Sequence, residues 1–217
     1  DFNMYAGAGA LGAQIDDFNG DFFDHTDLDF LHGATIHITQ LGDRPIANNQ
    51  VPAGVPTWGK EFKDASVTNA NRALIVKAQG ASLPWQDNYI DQDPTYKDAF
   101  GDPLLRMTFN WKDQDRQLMK FMGEKCAEIM KQMGAKEVKM TGDEIGDYDI
   151  RNYQSTHNTG GVIMGADPET SALNSYLQMW DCENVFVPGA SALAQNSGSN
   201  PTNNVGALAY RPAEGLE

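Results

Sequence analysis

Cysteine is nearly absent: Cys126 and Cys182 stand far apart and outside any Cys-x-x-Cys spacing. Neither a disulfide framework nor a thiolate zinc site is expected from two such residues. Positive charge is also scarce, with sixteen Lys and Arg against thirty Asp and Glu, a formal net charge of −14. A nucleic-acid partner needs clustered cations to meet phosphates, so that class is excluded. A polybasic membrane patch falls for the same reason. No run approaches the roughly eighteen apolar residues that a membrane-spanning helix needs. The chain starts at Asp1 with no signal-type leader, which leaves a mature, processed or excised chain as the reading of its start.

Enough apolar material remains for a core. Of 217 residues 41% are hydrophobic and 10% aromatic, which suits one large domain or two small ones. Strand patterns lie at Phe30 to Leu41, Ala73 to Ala78, Asn88 to Asp91 (ended by the turn signal Asp93-Pro94) and Leu104 to Asn110. Pro52 and Pro56 mark a loop over 46–59. Strands without a helix after each one imply a mainly antiparallel sheet. From Asp113 to Met133, Leu118, Phe121, Met122, Cys126, Ile129, Met130 and Met133 recur every three or four residues. That spacing predicts an amphipathic helix whose methionines pack in the core, with Gly134 as its stop. Asn184 to Pro188 reads as a short buried strand. Val205 to Tyr210 reads as a helix opened by Asn200-Pro201-Thr202 and ended early by Pro212 and Gly215.

Gly7 to Gly12 matches Gly-x-Gly-x-x-Gly, yet only six residues precede it. The dinucleotide fingerprint needs a buried strand there and a helix after it, so a flexible glycine-rich segment is the better reading. Among the histidines, His25 reads as a bonded or solvated side chain in an Asp-rich turn, and His32 and His37 read as structural. No pair has metal-ligand spacing with a helical carboxylate, and no metal site is expected. His157 differs, because Asn158 to Gly161 are small and leave room for a ligand. On pattern alone it is either a loop histidine or a general base. Asn200 likewise has two readings: a helix cap, or a neighbour of free helix amides that suit negative charge.

In order, these pieces form a family likeness. The stretch from Ser155 to Tyr210 resembles the C-terminal part of the glucose–methanol–choline (GMC) flavoprotein oxidoreductases. Within them it is most similar to the large flavoprotein subunits of bacterial gluconate and 2-ketogluconate dehydrogenases. The run from Ile90 to Pro103, followed by an Arg-containing strand, is similar to the family's substrate-domain signature.

The resemblance implies an α+β fold, with helices on one face of a mainly antiparallel sheet and C-terminal elements that contact flavin. It implies oxidation of a sugar or sugar-acid CH–OH group by hydride transfer to N5 of FAD. His157 matches the family's base and Asn200 the second polar residue on the same substrate oxygen. Gly189 and Ala190 match a turn whose backbone approaches FAD, and Pro201 and Thr202 open the helix that points at the flavin. Residues 1–30 would belong to or link from a missing FAD domain, 31–154 would form the substrate-binding domain, and 155–217 the catalytic and flavin-contacting segment. The implied whole is a periplasmic complex at the inner membrane. It has a multihaem c-type cytochrome subunit and a small third subunit, and membrane association runs only through those partners.

The family's diphosphate-binding unit is missing and its members are more than twice this length, so the chain reads as a C-terminal fragment, inactive and without FAD on its own. A rival reading is a non-catalytic carbohydrate-binding or assembly module, with Trp58, Trp85, Trp111 and Trp180 as stacking platforms. For a carboxylate substrate, Arg72, Lys77, Arg106 and Arg151 are the candidate cations.

Overall fold

A computed structural model describes residues 12–40, 51–69, 72–140, 145–152 and 156–215. Most of the glycine motif, residues 7–11, lies outside these. The chain divides into two compact units, one of Asp1–Gln79 with Gln117–Glu144, the other of Gly80–Arg116 with Ile145–Glu217. Three α-helices and two sheets among the described residues give the α+β class.

The first unit holds a sheet in the order β1 (Ala13–Ile15), β2 (Ala34–Gln40), β3 (Leu74–Gly80). β1 is antiparallel to β2, with Ile15 opposite Ile36. The amphipathic helix is α2 (Asp113–Gln132). Its stripe Leu118, Met122 and Cys126 is buried against Phe30, Ala34 and Ile36 at and beside β2. Burial of this stripe drives the packing, at about 25 cal/mol per Å² of apolar surface removed from water. Phe18, Phe23, Phe30 and Phe121 add an aromatic cluster, with Phe23 stacked on Phe121 at 5.9 Å. Asp115 accepts the Lys112 amide at 2.9 Å, the return half of a capping box. Gly134, at φ +83°, closes the other end with its amide on the Lys131 carbonyl. Met122 is fully buried as expected, whereas Met133 lies beyond the helix end and is 53% exposed.

The helix α1 (Gly59–Asn69) carries no apolar stripe, and Ser66 is its one buried residue. Local bonds hold it: Ser66 Oγ to the Phe62 carbonyl, and Asn69 Nδ2 to that of Ala65.

The second unit contains the antiparallel hairpin of β4 (Tyr89–Lys97) and β5 (Pro103–Thr108). The Asp93-Pro94 turn signal does not end the strand. The Asp93 carboxylate takes the amides of Thr95 and Tyr96 at 2.8 Å each, and the register shifts between Gln92 and Lys97. A proline donates nothing to the ladder, and an irregular register accommodates it.

From residue 156 to 201 the backbone is mainly turns and isolated bridges. These enclose a small core of Leu173, Leu177 and Ala192, flanked by Val162, Met164, Met179, Val187 and Leu208. The strand expected at Asn184–Pro188 is a single bridge from Phe186 to Gln178, bounded by the turn that bonds Val185 to Cys182. The last helix, α3 (Thr202–Glu214), passes through Pro212 instead of ending before it. The proline sits in the final turn with its ring buried, and Gly215 caps the end. Among the described residues no helix is long and apolar enough to cross a membrane.

Candidate active site

All six site residues named from the sequence fall in the second unit. His157 lies in an irregular segment, half-buried, with its backbone at φ +63°. A left-handed conformation costs an L-residue roughly 1–2 kcal/mol and persists where the surroundings impose it. Here they do so on both sides. The Asn196 side-chain amide donates to the His157 carbonyl at 3.1 Å. Downstream, the Val162 amide donates to the Ser191 carbonyl and the Met164 amide to that of Ala192, both at 3.0 Å. Gly160 turns the chain at φ +82°. A Cβ placed on Gly161 would stand 3.8 Å from Ser191 Cβ and 3.9 Å from Ile90 Cδ1, ordinary contact distances that place this glycine beside the turn and β4.

The structure thus joins the histidine segment to the turn of Gly189 and Ala190. Gly189 has φ +129° and no atom within 4 Å of where a Cβ would be, leaving its backbone open to a bound group. Ala190 starts the 3₁₀ turn Ala190–Ala192. The His157 ring makes no hydrogen bond among the described residues.

Asn200 stands exposed just before α3 and makes no side-chain hydrogen bond among the described residues. The cap reading is corrected: the N-cap position is the buried Pro201, with no side-chain cap. The Val205 amide closes the first helical bond onto the Pro201 carbonyl, which leaves the amides of Thr202, Asn203 and Asn204 without intrahelical acceptors. Open amides and the positive dipole end suit negative charge on a bound group.

The other histidines are spoken for or lie elsewhere. His25 is held between the carbonyls of Phe23 and His32, and His32 pairs with Asp21. His37 belongs to β2. Among the described residues no cluster of His, Cys, Asp and Glu could hold a metal. Arg106 forms a two-pronged pair with Asp91, and Arg151 does the same with Asp149. Each guanidinium holds its carboxylate partner below the usual range. Neither arginine is therefore a free cation for a substrate carboxylate. Of the tryptophans, Trp58 is 80% exposed and Trp180 36%, while Trp85 and Trp111 are half-buried. Trp180 donates to Ser171 Oγ at 3.0 Å, and Trp111 packs edge-on against Phe109 and Tyr148. The two exposed rings, Trp58 and Trp180, fall in different units, so they form no row of sugar platforms within either.

Sequence reasoning missed Asn196. An amide inside a Ser- and Gly-rich stretch has no local signature, because its role depends on pairing with a residue 39 positions upstream.

The histidine segment, the glycine turn bonded to it and the start of α3 all lie in the second unit, and side chains and backbone of these types are suited to proton transfer at a bound ligand. The chain belongs to the GMC oxidoreductase family, whose model matches residues 84–209. It is 44% identical over 215 residues to a gluconate 2-dehydrogenase flavoprotein of Pantoea cypripedii, covering 99% of this chain and 35% of that protein. It is 29% identical to a 2-methyl-1,2-propanediol dehydrogenase of Mycolicibacterium austroafricanum, over 95% of this chain and 36% of that one. A fructose dehydrogenase large subunit of Gluconobacter japonicus is 28% identical, over 82% and 32% respectively. The chain spans about a third of the length of these curated relatives.

Proposed function

We propose that this chain is the substrate-side and catalytic part of an FAD-dependent dehydrogenase that oxidises a CH–OH group of a sugar or sugar acid. The observation that carries the reading is His157, whose ring makes no hydrogen bond among the described residues and whose left-handed backbone opens a segment bonded, through Val162 and Met164, to the Gly189–Ala192 turn. The likeness to a gluconate 2-dehydrogenase flavoprotein supports a sugar acid as first choice.

The residues present fit a flavin. Gly189 leaves open backbone, and α3 presents uncapped amides where a developing negative charge would be favoured. When bound, FAD supplies the hydride acceptor at N5. His157 takes the hydroxyl proton, which raises the hydride-donating power of the carbinol carbon. A positioned base of this kind contributes about 10²–10⁴ in rate. Asn200 holds the same oxygen, with a side chain that no other described residue engages. Gly189, Ala190, Pro201 and Thr202 form the flavin-facing backbone.

The working protein is a periplasmic complex that meets the inner membrane through its partners, a multihaem c-type cytochrome subunit and a small third subunit. The name of the Gluconobacter relative, a large subunit, supports a multisubunit assembly. The division into 1–30, 31–154 and 155–217 belongs to the same proposal, as does the lack of FAD in the 217-residue chain alone. The test is to mix the flavoprotein containing this chain with gluconate, 2-ketogluconate, fructose and glucose without oxygen. Bleaching of the flavin by a sugar acid supports the reading, and an unchanged flavin with all four contradicts it.

A further inference from the structure

We infer that Asn196 is a positioning residue for His157, acting through the main chain of that histidine; this rests on His157 being the base. Asn196 is itself fixed. Its amide and carbonyl both pair with Ser82, at 3.2 and 2.9 Å, and its residue surface is 9% exposed. From that anchored backbone its Nδ2 donates to the His157 carbonyl at 3.1 Å. The opposite amide orientation would set two acceptors face to face, so the donor assignment follows from chemistry.

The side chain is a poor stabiliser. Its Oδ1 is buried and finds no partner among the described residues. An unmet buried acceptor costs about 1–3 kcal/mol, which offsets a neutral hydrogen bond worth about 1 kcal/mol. What the bond does achieve is to fix the carbonyl of a residue at φ +63°, and with it the direction in which the imidazole leaves the backbone. Release of that carbonyl lets residue 157 relax toward ordinary backbone angles and swings the ring off line. A displacement of about 1 Å in a reacting group can cost about a hundredfold in rate.

The test uses the complete flavoprotein with Asn196→Asp, which keeps the shape and removes the donor, and Asn196→Ala, each alone and combined with His157→Ala. The expected result is a fall in kcat of about tenfold or more with KM within about twofold. In the His157→Ala background neither change lowers kcat further, because the positioned group is gone. An unchanged kcat in both single variants overturns the inference, and so does an equal loss in both backgrounds. Full turnover in His157→Ala alone instead overturns the base reading, and the inference with it. A measurement on the unaltered complete flavoprotein guards against variants that fail to fold. A scalar coupling across the hydrogen bond, from Asn196 Nδ2 to the His157 carbonyl carbon, is expected by NMR. Its absence from a spectrum that resolves other such couplings overturns the contact.

Discussion

The Val162 amide donates to the Ser191 carbonyl at 3.0 Å, and this bond fastens the histidine segment to the turn that begins at Gly189. The two glycines before Val162 serve that approach differently. Gly160 has φ +82°, so Gly160→Ala is expected to cost about 1 kcal/mol in backbone strain. A Cβ at Gly161 meets only ordinary contacts, near 3.8 Å, so Gly161→Ala should stay within about 0.5 kcal/mol. Urea titration of the chain reads both; equal costs would mean that the turn at Gly160 is not required.

The α2 stripe is the main apolar seam of the first unit. Met122 is fully buried and Met133 is 53% exposed, so the same truncation should separate them. Met122→Ala should cost about 2–5 kcal/mol, through lost transfer energy and the cavity left behind. Met133→Ala should stay within about 0.5 kcal/mol. Equal losses would contradict the assignment of the core.

Asn200 makes no side-chain hydrogen bond among the described residues, and no side chain caps α3. Asn200→Ala should therefore leave the melting temperature unchanged while slowing flavin reduction in the complete flavoprotein by about tenfold or more. A capping role would instead lower stability by about 1 kcal/mol, and melting curves distinguish the two.

Two carboxylates give opposite pH signatures. The Arg106 side chain holds Asp91 below its ordinary value of 3.8. Its stabilising contribution is present above that value and is lost as pH falls through the lowered one. The stability gap between the wild type and Asp91→Asn should therefore close on acidification. Burial pushes Asp115 above 3.8. The wild type should lose ground to Asp115→Asn as pH rises from about 3.8 through the raised value. Thermal melts of the three proteins from pH 3 to 7 check both signs.

How much the sequence revealed follows from the range of each signal. The α2 stripe was legible because burial of Leu118, Met122 and Cys126 writes a helical period into adjacent residues. The α1 helix was not, since Lys60–Asp64 pairing and side-chain-to-backbone bonds hold it without an apolar stripe. Asp93-Pro94 carried a true turn signal whose effect was a bulge, because pairing with β5 resumes beyond it. Pro212 signalled a helix end one turn early, where the last turn tolerates a missing amide. At the site, the small residues after His157 and the start of α3 were visible locally. The tie from Asn196 was not, because it joins residues 39 apart in the chain.

The central claim is that His157 takes the substrate proton. The most direct test is anaerobic stopped-flow reduction of the complete flavoprotein by gluconate, wild type against His157→Ala. A reduction rate at least about a hundredfold slower, with substrate affinity changed only a few-fold, is the predicted result. Reduction at the wild-type rate would contradict it.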